Sequence, residues 1–99
     1  MTTTQVREFF SEHNDEEFLN FERIPAERRY SERPDLNAFM LLDKLCPGET
    51  MDMIGSAGHD QIWLSVGVDD LTTFVTEEQL LDLIRCGVMV ECDGFTMFV

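Results

Sequence analysis

The last quarter of the chain constrains the fold more than any other stretch. Residues 76–99, TEEQLLDLIRCGVMVECDGFTMFV, predict a capped helix that runs directly into a β-hairpin. Thr76 can cap the helix while Gln79, three residues later, completes a capping box. Gly87 suits the left-handed position that ends a helix. The leucines between these signals recur at helical spacing, so one side of this helix is predicted to be buried.

The hairpin is predicted from Asp93-Gly94, one of the strongest two-residue turn signals. A turn centred on these two residues also predicts the register of the strands. Cys92 would pair with Phe95, Val90 with Met97, Glu91 with Thr96 and Met89 with Phe98. The first two pairs would face the core, and the last two would face the other way.

The rest of the chain divides at about residue 48. Residues 1–47 are predicted to be mainly helical, because QVREFF and PDLNAFMLLDKLC both place apolar residues at helical spacing. Residues 48–99 mix short strand-like runs, MDMIG and QIWLSV, with a short helix that Asp69 can cap. At 99 residues this is one domain. The predicted class is α+β, with N-terminal helices followed by a small antiparallel sheet and a C-terminal β-hairpin.

Two arrangements of the strands fit this order. From residue 34 onward, the succession of helix, strand, short helix, helix and hairpin resembles the winged helix-turn-helix fold. QIWLSV would be its middle strand and VMVECDGFTMFV its wing. The alternative places two hairpins in one four-stranded antiparallel sheet, and it accounts better for MDMIG.

The balance of charge is unusually acidic. The chain holds 20 acidic and 7 basic residues, a net charge of −13. Such a chain repels nucleic acid and anionic lipid and is attracted to basic surfaces. The segment 23–33, RIPAERRYSER, contains four of the seven basic residues, namely Arg23, Arg28, Arg29 and Arg33. These arginines either pair internally with the excess acid or form a small basic contact patch.

The positions of the acidic residues argue against DNA binding, despite the resemblance to a winged helix-turn-helix. A helix that enters the major groove needs side chains that neutralise phosphates. The matching helix here carries three acidic residues, Glu77, Glu78 and Asp82, and one basic residue, Arg85. We therefore expect a non-enzymatic protein that binds a basic, nucleic-acid-handling protein and no nucleic acid directly. Its carboxylates would act as phosphate surrogates. The predicted partner-binding residues are Asp69, Asp70, Glu77, Glu78, Asp82, Glu91 and Asp93.

The whole profile, small and very acidic with no chemistry in view, resembles the phage-encoded inhibitors of host defence of the anti-CRISPR and anti-restriction type. This resemblance implies a CRISPR effector complex or another nuclease as the partner, in the cytoplasm of the host. Two alternatives remain from the residues alone. One is a winged-helix-like regulator or protein-interaction adaptor, and the other is a nucleotide sponge built around the arginines. The oligomeric state is left open.

Catalytic and cofactor sites are not predicted. Ser56, His59 and Asp60 lie within one apparent turn, where a nucleophile and its base would not converge. Cys46, Cys86 and Cys92 lack the spacing of a zinc site or a disulfide framework, and they suit reduced thiols in a cytoplasm. No apolar run is long enough to span a bilayer. We expect no metal, no cofactor and no membrane contact.

Overall fold

Helices and strands follow one another in the order expected of an α+β protein. The computed structural model describes residues 1–47, 52–72, 75–92 and 94–98. Within these ranges the helices are α1 (Thr3–Glu17), α2 (Pro34–Leu45), α3 (Val68–Leu71) and α4 (Glu77–Arg85). The strands are β1 (Ile54–Gly58), β2 (Gln61–Gly67), β3 (Met89–Glu91) and β4 (Gly94–Phe98). Two short 3₁₀ turns, Phe21–Arg23 and Ala26–Arg28, connect α1 to α2.

The four strands form one antiparallel sheet in the order β1-β2-β4-β3. This confirms the arrangement in which both hairpins share a four-stranded sheet. Along β2 the side chains of Ile62, Leu64 and Val66 are buried and those between them are half-buried. Such alternation shows that helices cover one face of the sheet, while the other, open face is partly exposed.

Local signals explain both of the helices that matter for the site. α1 is one continuous helix, which begins with a capping box between Thr2 and Gln5. α4 begins with the predicted capping box, in which Thr76 N–H donates to Gln79 Oε1 at 2.9 Å and Gln79 N–H to Thr76 Oγ1 at 3.2 Å. Gly87 ends this helix with a φ of 97°, as predicted. α4 packs against both α1 and α2.

The register of the C-terminal hairpin differs from the prediction by two residues. Met89 pairs with Thr96, Val90 with Phe95 and Glu91 with Gly94. Cys92, expected in the core, is exposed and adopts a φ of 56° at the turn. A slip of one residue would have turned every side chain to the wrong face, whereas a slip of two preserves the faces.

The second partner of β4 explains this register. β4 also pairs with β2, where Ile62 lies opposite Met97 and Gly67 opposite Gly94. A turn motif constrains the pairing of only the two strands that it joins, so it carries no information about the second strand that pairs with β4. Phe95 and Met97 remain buried, as expected, because the two-residue shift leaves both on the core face.

Candidate functional site

The carboxylates predicted to form one partner-binding face are distributed over different surfaces. The described members occupy three places: the helical side beside α1, the side of α4 that faces the arginine segment, and the open face of the sheet. Asp93 lies outside the residues that the structure describes. The predicted single face is therefore wrong, because it was assembled from sequence neighbours whose helix and strand faces diverge.

Asp82 departs furthest from the prediction, since it is buried and only 5% exposed. The guanidinium of Arg28 clamps its carboxylate from one side, with Nε to Oδ2 and Nη2 to Oδ1 both at 3.0 Å. Arg85 Nη1 donates to Oδ1 at 3.3 Å from the other side. Asp82 consequently belongs to the interior, and no partner can reach it in the folded protein.

Glu17 extends this arrangement into a partly buried ion network, which we define as Glu17, Arg23, Arg28, Asp82 and Arg85. The Glu17 carboxylate accepts from Arg85 Nε and lies against Arg23 Nη1, each at 3.1 Å. The hydrogen bond that Arg85 donates lowers the pKa of Glu17. The pKa of Arg28 is raised, chiefly because it donates hydrogen bonds to the Asp82 carboxylate. The network joins α1, α4 and the loop between α1 and α2, so its role is structural.

Arg29 is also occupied within the protein. Its Nε donates to Ile24 O at 2.8 Å and its Nη1 pairs with Glu32 Oε2 at 3.0 Å. The guanidinium carbon lies 4.9 Å from the centre of the Phe21 ring. The interpretation that the arginines of residues 23–33 pair internally is confirmed for Arg23, Arg28 and Arg29, while Arg33 is exposed.

A different set of carboxylates converges on the helical side of the molecule. Glu8 and Glu12 of α1 and Glu77 at the start of α4 line a groove of about 270 Å³ together with Phe9 and His13. Asp69 lies beside the first turn of α1, where Thr3 Oγ1 donates to its Oδ1 at 2.5 Å. We define Glu8, Glu12 and Glu77 as the acidic face.

Two of the three residues, Glu8 and Glu12, were missed by the sequence prediction. The signal was present, because Val6, Phe9 and Phe10 were expected to face inward and a helix with that inner face turns Glu8 and Glu12 outward. The two lie four residues apart, a spacing that places helix side chains about 5–6 Å from each other. Asp15 and Glu16 are also exposed and continue this acidic stripe along α1.

The remaining predicted residues lie apart from the acidic face. Glu78 is 3.9 Å from Arg28 and its side chain is 75% exposed. Asp70 caps α3 by accepting from Gly67 N–H at 2.8 Å. Glu91 accepts from Gln61 Nε2 at 2.9 Å on the open side of the sheet. Of the six predicted residues that the structure describes, Glu77 joins the acidic face, whereas Asp69 accepts from Thr3 and does not line the groove.

The groups considered for chemistry do not assemble into a site. Ser56, His59 and Asp60 share no hydrogen bond with one another, and no cluster of metal-ligating side chains occurs among the residues described. Cys46 and Cys86 are buried. Burial raises the pKa of Cys86 to about 11, which keeps it a neutral thiol. None of the helices described is long and apolar enough to cross a membrane.

Comparison with known proteins yields no relative. The chain matches no protein-family model, no curated protein and no solved structure. Function must accordingly be argued from the geometry and charge of the acidic face.

Proposed function

We propose that this protein is a non-enzymatic acidic binding protein that blocks a basic, nucleic-acid-handling partner by presenting carboxylates in place of phosphates. The observation that carries the proposal is the convergence of Glu8, Glu12 and Glu77 on one groove. Within the described part of the chain, no lysine or arginine forms an ion pair with any of the three. Their charge is available to an incoming cation.

The acidic face is suited to this role because its carboxylates are held by rigid elements. Glu8 and Glu12 project from the middle of a 15-residue helix, and Glu77 follows the capped start of α4. Lysine and arginine of a partner would donate charge-assisted hydrogen bonds to them. Side chains mounted on a preformed helix require little backbone ordering on binding.

The state of the arginines supports this proposal over a DNA-binding regulator. Direct contact with DNA would depend on the segment 23–33, yet Arg23, Arg28 and Arg29 already contact carboxylates of the same chain. Arg28 also lies over the side of α4 that carries Asp82 and Glu78, the helix that would enter the groove in a winged-helix reader. Freeing it for phosphate would leave the buried Asp82 short of a partner.

The resemblance of the whole profile to phage inhibitors of host defence favours one form of the proposal. In that form the partner is a CRISPR effector complex or another nuclease of the host cytoplasm, and the acidic face occupies its nucleic-acid channel.

The proposal is tested by neutralising the acidic face. We compare E8Q/E12Q/E77Q with E22Q/D43N/D60N, which removes three exposed carboxylates elsewhere and brings the same change in net charge. Immobilised protein is exposed to a bacterial lysate, and the captured proteins are challenged with a DNA duplex. The expected result is capture by the wild type and the control variant, release by duplex, and loss of capture by the acidic-face variant.

Two results would overturn the proposal. One is equal capture by both triple variants, which would show that only the total charge matters. The other is binding that does not weaken with added salt, since contacts between carboxylates and a basic channel are screened by ions.

A further inference from the structure

A second surface feature lies on the other side of α1, where the helix runs beside the edge of the sheet. β3 is an edge strand. Between it and α1 lies a groove of about 670 Å³, lined by Arg7, Phe10, Ser11, Asn14, Asp15, Met89, Val90 and Cys92. The floor includes the buried ring of Phe10, and Asp15 stands exposed on the helical wall.

The edge of β3 offers main-chain hydrogen bonds to this groove. In an antiparallel pair, alternate residues bond across the pair, and those between them turn N–H and C=O away. In β3 either Val90 or both Met89 and Glu91 therefore point their backbone groups away from β4. Among the described residues, no hydrogen bond joins the backbone of β3 to α1.

We propose that this groove binds an extended, basic segment of a partner protein, which adds to the sheet as a fifth strand beside β3. The groove extends from Arg7 to Asp15, eight residues of helix or about 12 Å. An extended chain rises about 3.3 Å per residue, so about four residues fill it. Main-chain bonds to an edge strand with side chains set in a neighbouring groove are a known mode of peptide recognition.

Charge complementarity selects a basic segment. Asp15 lines one end of the groove, Glu91 is exposed on β3 and the chain carries a net charge of −13. Lysines or arginines of an added strand would therefore be attracted to the Asp15 end, away from Arg7 at the other end. Alternate apolar side chains of the same segment would contact Phe10 and Val90. The basic character of the ligand rests on the proposed function, whereas the edge and the groove do not.

β1, the other edge of the sheet, is a less suitable site. Its residues are exposed or nearly so, and none of them lines either of the two grooves described above. A strand added there would gain main-chain bonds alone. The irregularity between Ile54 and Ser56 also interrupts the regular ladder, as bulges at sheet edges commonly do.

The experiment uses a peptide of alternating lysine and valine as the probe, with the isotope-labelled full chain observed by NMR. Two further peptides carry N-methyl groups on either the odd or the even backbone nitrogens. One of the two should bind about tenfold more weakly than the other, because only one set of N–H groups faces β3. Amide signals of β3 should shift while those of β1 stay unchanged.

A variant that fills the groove provides the matched control. S11W places a large side chain in the groove, and T4W places one on an exposed part of α1 outside it. S11W should abolish the β3 shifts and T4W should retain them. Equal binding of both N-methylated peptides, shifts in β1, or unchanged binding to S11W would each overturn strand addition.

Failure of this inference can be told apart from failure of the proposed function. If S11W still captures a duplex-displaceable partner and E8Q/E12Q/E77Q does not, the acidic face acts without an added strand. If the peptide adds to β3 while the acidic-face variant captures normally, the groove is a binding site and phosphate mimicry is wrong.

Discussion

Glu77 and Asp82 belong to the same helix, and their surroundings are opposite. Glu77 is exposed and shares a groove with two carboxylates of α1, whereas Asp82 is buried between the guanidinium groups of Arg28 and Arg85. Five residues of helix separate them, a rotation of about 140°. The same functional group thus serves as a candidate binding group at one position and as a structural ion at the other. The neighbours that decide this come from distant parts of the chain.

The largest expected effect comes from removing the buried charge. D82N keeps the shape of the side chain and leaves Arg28 and Arg85 without their carboxylate. We expect a loss of about 2–3 kcal/mol in the free energy of unfolding, at the lower end for a broken buried ion pair because Arg28 is one-third exposed. Urea unfolding measures it, with an unchanged m-value. E77Q is the control and should lie within about 0.5 kcal/mol of wild type. Equal stability of the two variants would contradict the comparison.

A double-mutant cycle sharpens the role of Arg28. R28A, D82N and the double variant should show a coupling of about 1 kcal/mol, since the two side chains are in direct contact. The paired cycle of R33A with D82N should show none, because no contact joins those two residues. Strict additivity of R28A and D82N in urea unfolding would mean that the bidentate contact contributes nothing to stability.

The pH dependence of stability gives a further test of the partly buried ion network. The pKa of Glu17 is lowered in the folded protein, chiefly by its hydrogen bond from Arg85. The stability that it adds is therefore present above the ordinary carboxyl pKa of about 4.3 and is lost as the pH falls through the folded value. Thermal unfolding from neutral pH downward should show a shallower decline for E17Q than for wild type. The control E16Q, an exposed neighbour, should follow wild type. Parallel curves for E17Q and wild type would contradict the assignment.

The smallest effect on stability is expected at the acidic face. E8Q/E12Q/E77Q should change the free energy of unfolding by less than about 0.5 kcal/mol, since exposed carboxylates without ion pairs contribute little to folding. A small gain is expected at low salt, because like charges are removed from one groove. Urea unfolding at low and high salt measures both. A loss of stability as large as that of D82N would show that these residues stabilise the fold, and it would contradict the distinction between the acidic face and the ion network.

Part of the fold was predictable because it depends on neighbours in the chain. The capping box of Thr76 and Gln79 and the left-handed Gly87 are local, and both predictions are confirmed. The hairpin was predicted in the right place and with the right core face. The register of its strands was not predicted, because β4 must also pair with β2, a strand some thirty residues earlier in the chain.

The candidate site was less predictable, for a related reason. Asp69 and Glu77 are exposed, as acids at helix starts commonly are, and their role in partner binding stays a prediction. Glu8 could have been found from the inner face of α1, but nothing in the sequence placed it beside Glu77. Asp82 was misplaced because its burial depends on Arg28, 54 residues away.

The sequence by itself determined the α+β class, the bounds of α2 and α4, the core faces of the strands and the excess of negative charge. These follow from periodicity, capping and composition, which act within a few residues. Only the tertiary structure decided which carboxylates meet in a groove, which arginines are occupied and which strand lies at the edge beside α1. Each of these depends on how separate elements cross, and no local pattern encodes the distance between side chains that packing alone brings together.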